Sequence, residues 1–242
     1  MDEQGRAPIL RKLGIIGGLS WIATRTYYEQ INRGVQKRFG PTSSAPLLIE
    51  SLEYSQLYAL KDEAGWDRAA AILVESAQRL EQAGAGALII AANSMHRVYD
   101  RVSEAVNVPI LHIADAVGDD LVRAGQTDGV VLLGTHAVMT EGFFRQRIVA
   151  KGIDLLAPDP DDAEMVDSII YKELMLGKVT RGAERALKTI ITRKEQHGAK
   201  SVVLACAELD QVVTTNANVM PVFDTTASHC RAAVDWICED AA

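Results

Sequence analysis

Cys206 stands directly after the apolar run 201–205 (SVVLA) and directly before Ala207-Glu208, a thiol set between a strand-like segment and an acid. A cysteine at the carboxyl end of a parallel strand has two uses. If a helix starts straight after it, backbone N–H groups and the helix dipole lower its pKa and bind anions, which suits a base or a nucleophile. Otherwise it simply fills a buried strand end, since cysteine is among the most buried residue types. The same passage is written twice in this chain. Residues 81–94 read EQAGAGALIIAANS and residues 195–208 read EQHGAKSVVLACAE; they align without a gap at a spacing of 114 residues, which sets Ala92 opposite Cys206. The first copy offers Asn93 and Ser94 after its strand, and His96 one helical turn beyond Ala92. A duplicated site with a thiol in one half and alanine in the other poses the question of a two-thiol site that has lost one thiol.

Two further turns fit the pattern. Gly17-Gly18-Leu19-Ser20-Trp21 follows the first strand, and Gly134-Thr135-His136 follows residues 130–133. A strand, a glycine turn and a helix together cradle an anion. The glycine spacing is not that of a dinucleotide fingerprint and no P-loop lysine follows, so a nucleotide site is not expected. Capping a helix is the ordinary role of Asn93 and Ser94, and it is compatible with ligand binding. The five histidines form no HExxH or HxH pattern, so no metal site is expected. No GxSxG is present to suggest a serine triad. The cysteines Cys206, Cys230 and Cys238 include no CxxC pair, and are expected to be thiols; Cys230 and Cys238 lie on one helical stripe, as buried apolar-like residues do.

Positioning these residues requires strands that end in one layer. Apolar runs at 13–17, 46–50, 87–91, 129–133, 153–156, 201–205 and 219–223 are unbroken rather than alternating, as in parallel strands covered on both faces. Residues 66–82 and 179–197 show helical periodicity and end at Gly84 and Gly198, the position glycine favours after a helix. Strand–helix alternation gives an α/β fold with a parallel sheet. The repeat divides it into two similar halves, residues 1–114 plus 222–242 and residues 115–221, with the ligand site expected at strand C-termini in the cleft between them. The chain has 242 residues, 48% hydrophobic and 24% charged, with net charge −7. The acidic balance argues against a nucleic-acid or anionic-membrane partner. The segment 1–12 lacks an apolar signal core and no run spans a bilayer, so the expected location is cytoplasmic.

Six motifs occur in a fixed order: GIIGGLSW (14–21), NSMH (93–96), HIAD (112–115), LLGT (132–135), CAEL (206–209) and PVFDT (221–225). By these the chain resembles, over essentially its whole length, the aspartate/glutamate racemase family, isomerases that invert amino acids without a pyridoxal cofactor. The resemblance implies two α/β halves related by a pseudo-two-fold axis, and two cysteines facing each other across the substrate. One thiolate removes the α-proton and the opposing thiol returns a proton to the other face. By the same resemblance Cys206 is the second-half cysteine and the catalytic residue. Gly18, Ser20, Asn93, Ser94, Thr135, Ala207 and Glu208 are at substrate-binding positions. The departures are at Ala92, in place of the first cysteine; Ala207, where threonine is usual; Val138, in place of a further threonine; and Met175, where some aspartate racemases carry a lysine. A hydrogen bond to a charged group contributes roughly 1.5–3 kcal/mol, so a dicarboxylate should bind less well here.

The first expected function is therefore a cofactor-independent amino-acid racemase using Cys206, with Ser94 or His96 as second proton carrier. An alternative is a single-cysteine lyase or one-base isomerase, similar to arylmalonate decarboxylases, acting on a less polar acid. A third is a non-catalytic homologue that retains the cleft. In each case the ligand is a small carboxylic or amino acid, with no cofactor and no metal, and a symmetric homodimer is the default assembly.

Overall fold

The computed structural model describes residues 9–58, 60, 62–213 and 219–239; residues 1–8, most of the segment examined for a signal core, lie outside them. In chain order the first elements are β1 (Leu13–Gly17), α1 (Trp21–Phe39), β2 (Leu47–Ser51), α2 (Glu63–Gln82), β3 (Ala87–Ile90), α3 (Tyr99–Ser103) and β4 (Ile110–Leu111). Then come α4 (Ile113–Arg123), β5 (Val130–Gly134), α5 (His136–Thr140), α6 (Gly142–Val149), α7 (Pro160–Lys172), α8 (Arg181–Gln196), β6 (Ser201–Ala205), β7 (Val222–Asp224) and α9 (Thr225–Cys238). They form two compact units: unit 1 is Met1–His112 with His229–Ala242, and unit 2 is Ile113–Ser228. Among the described residues no helix is long and apolar enough to cross a membrane.

Each unit is an α/β layer built on a parallel sheet. Unit 1 has strand order β2-β1-β3-β4 and unit 2 has β5-β6-β7. The unbroken apolar runs follow from the pleat, because successive side chains enter different cores. In β3, Leu88 and Ile90 face the core built with α2, while Ala87 and Ile89 face the core completed by α9. In β6, Val202, Leu204 and Cys206 face the core built with α8, while Val203 and Ala205 face the one built with α4. The sequence repeat is thus a structural one, pairing α2–β3 with α8–β6. Ala92 packs against the α2 core as Cys206 packs within the α8 core.

The helix ends repeat too. Gly84 (φ +91°) and Gly198 (φ +93°) are left-handed. Ala85 N–H donates to Leu80 O and Gly84 N–H to Glu81 O; Ala199 and Gly198 make the same pair of bonds to Lys194 O and Glu195 O. These pairs close helix C-termini through the left-handed glycine and aim the chain into the next strand.

Three expectations need correction. The run 153–156 is not a strand: Leu155 makes one parallel bridge to Val130. Val130 N–H donates to Asp154 O and Leu156 N–H to Val130 O, so only one residue's worth of ladder forms. The two-residue β4 was not anticipated; it is too short to carry a pattern. The return to the first unit comes within α9 rather than at residue 222, because β7 pairs with β6.

Candidate active site

In unit 2 the strand ends collect the polar residues. The register pairs Gly134 with Ala205 and Leu204 with Asp224. One residue further, Thr135 follows β5 as Cys206 follows β6; two beyond Asp224, Thr226 lies in the first turn of α9, after the end of β7. Cys206 is 6% exposed and extended (φ −156°, ψ 127°), and the residues after it, Ala207–Gln211, form a short 3-10 turn. The helix N-terminus that would have lowered the thiol pKa is therefore absent. Burial, then the adjacent Glu208 carboxylate, push the Cys206 pKa well above the usual thiol value. The Sγ–H donates to Glu208 Oε2 at 3.1 Å. The resting group is a thiol and not the activated thiolate expected from position alone.

Glu208 is almost fully buried, and its second oxygen, Oε1, has no hydrogen-bond partner. Asp210, in the same turn, is pushed up to about 6 by partial burial and by the Asp224 and Glu208 carboxylates. Asp224 in turn accepts from Thr226 N–H at 2.7 Å, at the start of α9. Three carboxylates thus share the carboxyl edge of this sheet with Cys206. The Thr135 and Thr226 hydroxyls are buried without a partner, and neither caps its helix. Ala207, half-buried, offers no hydroxyl, and Val138 lies wholly inside the α4 core. Met175 packs against the α8 core.

In unit 1, Gly18 closes the turn after β1 at φ +75°, where a Cβ would come within 2.2 Å of the Leu52 backbone N and O. Its N–H donates to Thr24 Oγ1 (2.8 Å), and Ser20 caps α1 by accepting from Ala23 N–H (3.4 Å). These expected ligand positions thus hold their own turn. Asn93 behaves otherwise. It occupies the cap position of the turn Ser94–Val98 but makes no capping bond, and its buried Oδ1 has no partner. The capping role expected of Asn93 is not observed. Ser94 opens that turn, half-buried.

His96 is buried, and its Nδ1 lies 2.8 Å from Ala92 O. A carbonyl only accepts, so Nδ1 carries the proton. The histidines that seemed scattered in the sequence partly converge: His96 stacks on Tyr99 and meets the rings of His112 (4.4 Å between centroids) and His229 (5.9 Å). His229 Nε2–H donates to Leu111 O and the Tyr27 hydroxyl donates to Nδ1, each at 2.9 Å. Burial holds the His229 pKa down to about 4. Among the described residues no group of three histidines, cysteines and acids could hold a metal ion. Cys230 and Cys238 are buried in the unit 1 core and stand outside any disulfide.

Sequence reasoning missed Thr226, Asp210 and Asp224. The signal was present in the threonine directly after PVFDT, but only the β6–β7 pairing places that strand end next to the one that carries Cys206. Among the described residues of unit 2, Thr135, Glu208, Gln211 and Thr226, all beyond strand ends, carry a buried polar side-chain atom without a hydrogen-bond partner, and in unit 1 Asn93 carries one. Buried polar groups are ordinarily paired, so the unit 2 set marks where a polar ligand supplies missing bonds. A thiol, a carboxylate and hydroxyl donors of this kind can move a proton and hold a small zwitterion.

Comparison with known proteins shows the family of the chain. A family model described as Asp/Glu/Hydantoin racemase matches residues 16–233. A crystal structure from Yersinia pestis, provisionally described as an Asp/Glu racemase, is 36% identical, with a TM-score of 0.86 and coverage of 94% of this chain and 99% of that one. An aspartate racemase homologue from Pyrococcus horikoshii is 31% identical, with a TM-score of 0.79 and coverage of 93% and 98%. A broad specificity amino-acid racemase from Bacillus subtilis is 19% identical over 222 residues, 83% of this chain and 96% of the relative.

Proposed function

The chain belongs to the Asp/Glu/hydantoin racemase family, and from that premise we propose that it is an isomerase acting at the α-carbon of an amino acid, with Cys206 as its proton carrier. The observation that carries this reading is the charge beside the thiol. Glu208 and Asp210 act on Cys206, and Asp224 and Glu208 act on Asp210. An α-ammonium group is the complement of that cluster, and Glu208 Oε1 is the oxygen left to receive it. A malonate dianion, the substrate type of the lyase alternative, would meet like charges instead. Each such approach to about 4 Å costs on the order of 4 kcal/mol at an effective dielectric of 20. The racemase reading is therefore better supported than the lyase reading.

The proton steps follow from the resting geometry. The Sγ proton passes to Glu208 Oε2, which moves the negative charge from the carboxylate to sulfur, and the bound ammonium stabilises the thiolate so formed. The thiolate takes the α-proton and leaves the electron pair on Cα, conjugated with the carboxylate. If Cys206 returns a proton, the product keeps its configuration, and the exchange of that proton with solvent is the trace of the event. Inversion needs delivery to the opposite face. Ala92 has no proton to give, so this task falls to Ser94 or His96. The His96 proton on Nδ1 is engaged by Ala92 O, which leaves Ser94 as the better-supported donor. Such a site exchanges its substrate faster than it inverts it. The chemistry uses side-chain acids and bases and asks nothing of a pyridoxal group.

The test is a panel of single-enantiomer amino acids and substituted malonates in D₂O, followed by NMR. Cα–H exchange with amino acids is the expected result. Loss of CO₂ from the malonates without amino-acid exchange would favour the lyase, and inertness toward both would favour a binding homologue.

A further inference from the structure

We propose that Thr226 is a ligand for the substrate carboxylate, supplying from the start of α9 the hydroxyl that Ala207 lacks. The proposal rests on the reading of Cys206 as a proton carrier at the α-carbon of an amino acid.

Two neighbouring threonines start α9 and differ in one respect. The Thr225 hydroxyl donates to Leu204 O at 3.0 Å and is satisfied within the fold. The Thr226 hydroxyl is equally buried, at 2% exposure, and has no partner. The backbone around it is nevertheless fixed: Thr226 N–H donates to Asp224 Oδ1 at 2.7 Å, and Thr225 ties the turn to β6. A hydroxyl held in place yet unpaired is a donor in waiting, because folding has already removed its water.

Its position says what the donor is for. β6 is the middle strand of three. With Gly134 paired to Ala205, and Leu204 to Asp224, Thr135 follows the end of β5 as Cys206 follows the end of β6, and Thr226, in the first turn of α9, lies two residues beyond Asp224 as Cys206 lies two beyond Leu204. Both hydroxyls are buried and unpaired. Two hydroxyl donors that follow the ends of the strands on either side of β6 match the two oxygens of a carboxylate whose α-carbon lies over the sulfur. The carboxylate cluster of Glu208, Asp210 and Asp224 then takes the ammonium end, so the zwitterion has one orientation. Hydroxyl donation from the start of α9 also accounts for a site that dispenses with a hydroxyl at Ala207.

The test compares Thr226→Val, which keeps the shape and deletes the hydroxyl, with Thr226→Ser, which restores it. The probe is the amino acid exchanged fastest by the unmodified protein, together with its α-amide. A lost hydrogen bond to a charged group corresponds to about tenfold to hundredfold in affinity. The expected result is a rise in KM of that size for the valine variant, a smaller change in kcat, little effect on binding of the amide, and recovery within a few-fold in the serine variant. Melting temperature should hold or rise in Thr226→Val, since an unpaired buried hydroxyl is being removed; a structural role would lower it. An unchanged KM, or a loss that serine fails to restore, overturns the proposal while leaving Cys206 untouched. Absence of exchange with every amino acid overturns both readings.

Discussion

Acid should loosen unit 1 through His229. The ring is fully buried, donates to Leu111 O, accepts from the Tyr27 hydroxyl and lies edge-on to His96. The groups facing it are thus a carbonyl, a phenol and another histidine, with His112 packed behind His96. Nothing there welcomes a proton, and its pKa falls from 6.5 to about 4. The unfolded chain therefore binds this proton between pH 6.5 and 4 while the folded chain does not, and stability falls as pH drops through that window. At 1.36 kcal/mol per unit the full loss is about 3 kcal/mol by pH 4, and about 2 kcal/mol of it has gone by pH 5. Asp210 works the other way, since its raised pKa favours the folded state as pH falls below about 6, but solvent screening weakens that term. The perturbation is His229→Gln, whose amide can still donate and accept but does not titrate. Trp21, Trp66 and Trp236 all lie in unit 1, so tryptophan fluorescence follows that unit alone. Urea unfolding at pH 7, 6 and 5 should show the variant less stable at pH 7 but flatter with pH, the two slopes differing by about 2 kcal/mol between pH 7 and 5. Equal slopes would refute the assignment of a neutral, buried His229.

Other outcomes follow from the same structure. Replacing Ala92 with cysteine returns a thiol to the strand-end position equivalent to Cys206 and should raise the ratio of inversion to Cα–H exchange; an unchanged ratio, read by NMR and chiral chromatography, counts against that equivalence. Glu208→Gln removes one of the charges that raise the Cys206 pKa. Alkylation of Cys206, followed by mass spectrometry against Cys230 and Cys238, should begin at lower pH, while exchange slows by roughly 10²-fold or more for want of the proton acceptor. Gly18→Ala forces a Cβ to within 2.2 Å of the Leu52 backbone at positive φ; a loss of at least about 2 kcal/mol in unit 1, measured by the same fluorescence, is expected.

The repeat was legible because parallel strands covered on both faces must be apolar throughout, and because the two glycine-ended helices close in the same way. The equivalence of Ala92 and Cys206 therefore survives from alignment to core: each is the next same-face residue after Leu88 and Ile90, or Val202 and Leu204. What sequence could not supply was environment. A strand-end cysteine looked acidic only on the assumption of a following helix; a 3-10 turn and a buried Glu208 reverse the shift. Residues 153–156 carry a strand's composition, but only Leu155 meets Val130. Thr226 becomes visible only through the β6–β7 register, and the His96, His112 and His229 cluster only through the packing of three separate segments.

The account stands or falls on Cys206 as the group that handles the α-proton. The direct measurement is the rate of Cα–H loss in D₂O from the preferred amino acid, for the unmodified protein and for Cys206→Ser, with unchanged tryptophan fluorescence and circular dichroism as evidence of folding. Serine keeps a hydroxyl at the β6 end but is a far weaker acid than a thiol. A fall in exchange of 10²-fold or more is predicted; exchange that continues at the original rate in the folded serine variant would contradict the account.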